Sequence, residues 1–410
     1  MAHQFHLADL FETVAAAVPD RIALITRSQQ IGFAELDART TRIAAGLEAH
    51  GVGRGDRVGL FLHNQIEHLE AFIAAIKLGA IPFNVNYRYG EDELAYLFDN
   101  AGAAGVIHGA RWTDLMARLQ ARLPGLRLAV AVPDGSGVAD VRSLPWSALQ
   151  SAPAGRTTWP RDEADILLTY TGGTTGMPKG VMWPHRAFFF ACAGGGGFFN
   201  TLGPAQQPAD IASRAANAYP LRIFPVAPLM HAAALWTVWS ALLNGVTVAL
   251  DDSAAFDPAT VWETAAMLKA NIVQVVGDAM AIPLRDALAS NPGRWDLSAV
   301  VSFGSGGAVF SGHVKADLQR LLTGAAITDG MGSSETGIAG TAAPSSEGLM
   351  RLQASESQQV VLGDRFGEVG EIGLVARCGN TPVGYYGDPA KTAEVFRPIN
   401  GRLWAVSGDT

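Results

Sequence analysis

Only two cysteines, Cys192 and Cys378, occur in 410 residues. Neither has metal-ligand spacing, so a disulfide framework and a zinc module are both excluded. The expectation is two small buried side chains in a reducing, cytoplasmic compartment. Charge is also scarce, at 17% of residues with a net value of −8. No basic block offsets that balance, which argues against nucleic acid as a partner. The N-terminus Met1-Ala2-His3-Gln4-Phe5-His6 lacks a positive region ahead of an apolar core and does not read as a signal peptide. No repeat of fixed period is visible. The one apolar run long enough to span a bilayer is 226–250. Pro228, His231, Asn244 and Gly245 interrupt it, and it divides into a buried helix over 232–243 and a strand over 246–250. No transmembrane segment is expected.

What is abundant is apolar residues, at 49%. In a chain of this length they can fill two or three packed cores. Strand-like and helix-like patterns alternate through the first half. The strand 57–62 precedes a helix over 65–78 with Ile66, Leu69, Ile73 and Ile76 near one face. An extended segment 81–85, a helix 91–100, a strand 105–107 and a helix 112–123 follow. Leu36, Ile43 and Leu47 mark an earlier helix that Gly51 can end. This alternation predicts an α/β fold with largely parallel sheets. The stretch 133–160, rich in Pro, Gly, Ser and Ala, reads as a surface crossing between two lobes. Short strands at 359–362 and 371–376 predict a small β unit. The expected divisions are 1–160, 161–345, 346–406 and a final 407–410.

One stretch is built to hold phosphate. The apolar strand Ile166-Leu167-Leu168 runs into Thr169-Tyr170-Thr171-Gly172-Gly173-Thr174-Thr175-Gly176-Met177-Pro178-Lys179-Gly180. Glycines let backbone N–H groups close on an anion, threonine hydroxyls add donors, and Lys179 adds a mobile positive charge. A Walker loop is excluded, because Pro178 precedes the lysine and Gly180, not Ser or Thr, follows it. Gly194-Gly195-Gly196-Gly197 lacks hydroxyls and a lysine, and reads as a close-packing or flexible turn.

The phosphate stretch resembles that of the adenylate-forming enzymes, and most of all their acyl-CoA synthetase branch. Gly172 stands where that family usually has serine, which removes one hydroxyl donor. The resemblance extends from about residue 20 to the end, through several motifs in the family's order. It implies the large N-terminal domain of such an enzyme: two parallel-sheet α/β subdomains plus a small β-barrel-like one. It implies ATP, Mg²⁺ and coenzyme A as reactants and cofactors.

By the same resemblance, Thr171, Thr174, Thr175, Lys179 and Glu335 would carry catalysis, with Glu335 as the metal ligand. Gly172, Gly173 and Gly176 would line the phosphates. Asp329-Gly330-Met331-Gly332-Ser333-Ser334 would contact the nucleotide, with Ser334 on the α-phosphate and Met331 replacing an aromatic residue against adenine. Gly306, Gly307 and Ala308 would face the other side of the adenine, and Asp409 would bind the ribose hydroxyls. Gly304, Ser305, His231 and Asp278 would border the acid. Asp278 reads equally well as a helix cap, and His231 as a satisfied core residue. The family continues beyond Thr410 through a hinge into a domain bearing an essential lysine. The resemblance therefore implies an isolated, poorly active N-terminal domain.

The expected reaction joins a carboxylate to AMP and then transfers the acyl group to coenzyme A. After His231 stand Ala232, Ala233 and Ala234, with no acidic partner for an α-ammonium. A bulky apolar acid of long-chain, steroid or terpenoid type is therefore expected. A non-catalytic adenylate-binding module and a luciferase-like oxygenase stay open, as does the oligomeric state, a homodimer included.

Overall fold

The computed structural model describes residues 3–137, 142–153, 155, 159–172, 177–253, 255–342 and 355–408. Among these, the strands form three sheets. The first has eight strands in the spatial order Gly384–Tyr385, Lys179–Pro184, Ile166–Thr171, Ile81–Asn84, Arg57–Phe61, Ala103–Gly109, Leu128–Val132 and Leu144–Pro145. From Ile166–Thr171 to Leu144–Pro145 the neighbours are parallel, while Ile166–Thr171 and Lys179–Pro184 form an antiparallel hairpin. The second sheet also has eight strands. It is parallel from Ala326–Ser333 through Ser302–Gly306, Ile272–Val275, Arg222–Pro225 and Thr247–Ala249 to Ile22–Ile25, with an antiparallel strand at each edge. The third is a small antiparallel sheet of five strands drawn from 358–406.

The sheets cut across the expected division at residue 160. Strand Ile22–Ile25 crosses to the second sheet and pairs with Thr247–Ala249, whereas Ile166–Thr171 joins the first sheet beside Ile81–Asn84. The reason is burial. A strand apolar on both faces, as Leu167 to Tyr170 is, needs an interior position in a sheet covered on both sides. Parallel neighbours are reached by long crossovers, so chain order does not dictate sheet membership. The small β unit is interrupted likewise: Gly384–Tyr385 leaves it and pairs with Met182 and Val181 at the first sheet's edge.

Local patterns hold more closely. Helices Ile66–Leu78, Glu91–Ala101 and Thr113–Arg122 lie where periodicity puts them. Helix Ile66–Leu78 is buried at all but one of its positions and so sits inside the molecule. The apolar run 226–250 becomes helix Ala232–Leu242 and strand Thr247–Ala249, both interior. The two helices meet across the lobes, with the Phe72 and Trp239 ring centroids 5.3 Å apart. Among the described residues no helix is long and apolar enough to cross a membrane. Cys192 and Cys378 are free and buried.

One loop reading changes and another narrows. The 133–160 stretch is not wholly a surface crossing: strand Leu144–Pro145 edges the first sheet, and helix Trp146–Gln150 packs on helix Phe33–Ala49. Contact there is so close that a Cβ on Gly46 would lie 2.7 Å from Leu149 Cα. The Gly194–Gly197 run is a close-packed turn. Gly194, Gly195 and Gly196 have φ of 64°, 60° and 75°, and a Cβ on Gly197 would sit 2.5 Å from the Pro204 nitrogen.

Three of the buried histidines, His6, His68 and His185, make the fold acid-sensitive. His6 and His185 pack ring to ring at 4.2 Å, and His68 is enclosed in helix Ile66–Leu78. Burial lowers all three pKa values, with Arg161 and Arg54 adding to it at His6, His6 and Arg161 at His185; His6 falls to about 3 and His68 to about 4. The folded form therefore binds fewer protons than the unfolded chain below pH 6.5. Stability from these groups is complete above that value and lost as pH falls toward 3–4. Glu70 opposes them: burial raises it to about 7 despite Arg39 at 2.6 Å, so its share is lost as pH rises from 4.5 to 7. Three histidines outweigh one carboxylate. Urea unfolding is expected to show stability dropping by about 1–3 kcal/mol per pH unit between 6.5 and 4.5. An unchanged or higher midpoint at pH 5 would refute this assignment.

Candidate active site

An antiparallel hairpin leads into and out of the phosphate stretch. Strand Ile166–Thr171 ends with Thr171 in register with Lys179 on the return strand. Gly172 is exposed at the turn, and Pro178 is buried just before the lysine. Gly173, Thr174, Thr175 and Gly176 lie outside the described residues, as does Asp409. Asn84 holds the end of the strand that precedes this stretch. Its Nδ2 donates to the carbonyls of Tyr170 at 2.8 Å and Met230 at 2.6 Å, and its Oδ1 accepts the Tyr170 N–H at 2.8 Å. Asn64 acts in parallel, donating to Ala227 O at 3.1 Å and accepting from Leu229 N–H at 2.7 Å. The carboxyl ends of the first sheet are thereby tied to the 227–231 segment of the second.

His231 follows directly, as the N-cap of helix Ala232–Leu242, with its side chain exposed. The surrounding protein and the Arg88 charge hold its pKa below the usual imidazole value, so it is neutral at pH 7. Gly307, with φ of 84°, lies opposite: a Cβ there would be 3.8 Å from that of Ala233. Ala308 is exposed, and its Cβ leaves only 2.7 Å for one on Gly277. Gly304 and Gly306 allow neighbouring strands to close in, since added Cβ atoms would meet Gln274 Oε1 at 2.7 Å and Gly330 O at 3.2 Å. The 304–308 segment thus forms one wall with the first turn of helix Ala232–Leu242, beside His231.

Ser305 and Asp278 brace that wall. Ser305 is 2% exposed and its Oγ accepts the Gly277 N–H at 2.8 Å. Asp278 joins two helix starts, its carboxylate accepting from the Ser311 N–H at 2.9 Å and from the Ser311 hydroxyl. This is a capping role, though toward the neighbouring helix Gly312–Leu321, whose N-cap is Ser311.

The motif 329–335 ends the adjacent strand. Asp329 is paired with Lys315 at 2.5 Å, and Gly330 lies beside Gly306. Met331, half-buried, faces Gly340 across the hairpin. A Cβ on Gly332 would collide with Gly337 O at 2.4 Å. Ser333 and Thr336 close the turn through their hydroxyls at 3.0 Å. Three side chains then hold it from outside. Trp183 Nε1 donates to Ser334 O at 3.0 Å, Arg377 donates to Thr336 O at 2.9 Å and Ile338 O at 2.7 Å, and the Tyr385 hydroxyl donates to Glu335 Oε1 at 2.7 Å. Burial and the Glu335 charge together push the Tyr385 phenol far up, which keeps it a donor.

Lys179 meets the same short segment, pairing with Asp388 at 2.5 Å. The lysine and the glutamate, 156 positions apart in sequence, are therefore both held by residues 384–388. Asn84, Trp183, Arg377, Tyr385 and Asp388 had no role in the sequence reading. The available signal was the run Gly384-Tyr385-Tyr386-Gly387-Asp388-Pro389. Its turn residues and tyrosines are out of place in an otherwise plain β unit. Among the described residues no cluster of three His, Cys, Asp or Glu could hold a metal ion. A lone hard carboxylate such as Glu335 suits a cation whose other ligands are substrate phosphates and water.

Comparison with known proteins gives the arrangement its context. Residues 11–365 match the family described as AMP-binding enzyme. The chain is 39% identical to a medium/long-chain-fatty-acid–CoA/3-oxocholest-4-en-26-oate–CoA ligase of Mycobacterium marinum, over 100% of this chain and 76% of that protein. It is 38% identical to a 3-oxocholest-4-en-26-oate–CoA ligase of Rhodococcus rhodochrous, over 98% and 75% respectively. In fold it resembles a long-chain-fatty-acid-CoA ligase of Archaeoglobus fulgidus, with a TM-score of 0.82 at 20% identity, covering 100% of this chain and 82% of that one. The chain spans about three quarters of the length of these curated relatives. It belongs to the AMP-binding, adenylate-forming enzymes, in their acyl-CoA ligase branch.

Proposed function

We propose that this protein activates a bulky apolar carboxylic acid, a long-chain fatty acid or a steroid acid, as its adenylate for transfer to coenzyme A. The observation that carries this reading is the convergence of three parts at the carboxyl ends of two parallel sheets. These are the paired residues Thr171 and Lys179, the Glu335 turn, and residues 304–308 against the helix start that His231 caps. Crevices at strand carboxyl ends are where open α/β sheets bind nucleotides.

A carboxylate does not react with a thiol because hydroxide is a poor leaving group. Its oxygen attacks the α-phosphorus of ATP and pyrophosphate departs, giving an acyl-adenylate. The thiol of coenzyme A then attacks the acyl carbon, and AMP leaves as the thiol proton passes to solvent. The first step brings anions together, so positioning and opposing charge are what the protein must supply. Lys179 and the turn from Thr171 to Gly176 are assigned to the phosphates. Ser334 is assigned to the α-phosphate, Met331 and residues 306–308 to the adenine, and Asp409 to the ribose. Mg²⁺ would be held by Glu335 together with phosphate oxygens, and when bound it neutralises charge on the triphosphate. Neutral His231 can donate one hydrogen bond to the acid while leaving the nucleophilic oxygen free.

The acid class is supported by two things. Both curated relatives named above are ligases of fatty acids or 3-oxocholestenoate. Residues 232–234 are alanines, which leave an α-ammonium without a buried counter-ion.

Three outcomes follow. A non-hydrolysable acyl-adenylate analogue bearing a long-chain or steroid acyl group should bind at least about 100-fold more tightly than AMP. Calorimetry showing equal affinities, or preference for an aminoacyl analogue, would overturn the assignment. Lys179→Met should weaken ATP binding about 10- to 100-fold, the range for charge-assisted hydrogen bonds. Glu335→Gln should instead abolish the dependence of ATP affinity on magnesium. Unchanged magnesium dependence in that variant would remove Glu335 from the metal site.

A further inference from the structure

We propose that Asp388 is a latch for Lys179. It holds the ammonium while the site is free of nucleotide and yields it to phosphate when nucleotide arrives. This inference rests on the reading of Lys179 as a phosphate ligand.

The two oxygens of Asp388 have separate tasks. Oδ1 accepts the Lys391 N–H at 2.9 Å and caps helix Pro389–Val395, while Oδ2 receives Lys179 Nζ at 2.5 Å. The Thr392 hydroxyl donates to the Asp388 carbonyl at 2.8 Å and fixes the same turn. The carboxylate is thus anchored whether or not the lysine is present. Lys179 comes to it on a flexible four-carbon stem from a strand that is itself fixed. Tyr386 N–H donates to Gly180 O at 2.8 Å, and Gly384 and Tyr385 pair with Met182 and Val181. Donor and acceptor therefore ride on one sheet edge, and release needs only side-chain rotation.

Exposure sets the strength of the latch. The side chains of Lys179 and Asp388 are 42% and 31% exposed. Water screens a pair of that kind, which contributes little to stability. A triphosphate carries several charges against one carboxylate, so it takes the lysine. The hydrogen bond from Lys179 lowers the Asp388 pKa further below neutrality, so the carboxylate is ionised and the latch is set at neutral pH. Tyr385, three residues earlier, holds Glu335, so the segment 384–388 presets both charged groups of the site.

The test separates a latch from a simple cap and from a simple repulsive charge. Asp388→Asn and Asp388→Ser both keep a capping oxygen and remove the charge. Each is expected to lower the Kd for MgATP, measured by calorimetry, about two- to fivefold, the range of exposed ion pairs. The same substitutions in a Lys179→Met background should leave the Kd unchanged. Unaltered or weaker binding in the single variants would overturn the latch. Equal tightening in both backgrounds would also overturn it, leaving Asp388 as a repulsive charge alone. If Lys179→Met by itself binds MgATP as the wild type does, the phosphate-ligand reading fails and the latch fails with it.

Discussion

The three hydrogen bonds of Asn84 are the constraint on which the geometry of the site depends. One buried amide satisfies both backbone groups of Tyr170 and the carbonyl of Met230, and it joins the two large sheets where their strands end. Buried polar groups of this sort are costly to leave unpaired, so a shift of either sheet would orphan several at once. The stretch proposed to hold phosphate begins next to one partner, and His231, proposed to face the acid, follows the other. On the proposed reading, the two halves of the site are held in position by a residue that need touch neither nucleotide nor acid.

Around that joint, each charged group of the site is presented by a side chain from another part of the chain. Trp183 and Arg377 grip backbone carbonyls on either side of Glu335, and Tyr385 takes one of its carboxylate oxygens. Such fixed dipoles and charges suit a reaction in which anions must be brought together, because little reorganisation is left for the reacting state. The third sheet contributes through Arg377, whose guanidinium is drawn below its usual pKa by burial and donates from Nη1 to two carbonyls of the Glu335 hairpin. A chain divided among three sheets thereby builds a site at their common border.

Much of this was legible in the sequence because local chemistry determines it. Helix Ile66–Leu78, helix Ala232–Leu242 and the strand into Thr171 follow from apolar spacing, whereas the reading of the glycine-threonine stretch before Lys179 as a phosphate site is a proposal from what phosphate requires. The motif ending in Glu335 was found by resemblance rather than by pattern. What stayed hidden depends on tertiary contact. Nothing near Asn84 indicates that its amide spans two sheets, and nothing near Tyr385 indicates that it reaches Glu335, 50 residues away. The crossing of Ile22–Ile25 into the second sheet was equally invisible, since an apolar strand fits any covered sheet.

The most direct measurement is a crystal structure of the protein soaked with MgATP. The account places the triphosphate on the turn between Thr171 and Lys179, the metal on Glu335, and the adenine between residues 306–308 and 329–332. A nucleotide bound elsewhere, with Lys179 still on Asp388 and Glu335 free of metal, would contradict it.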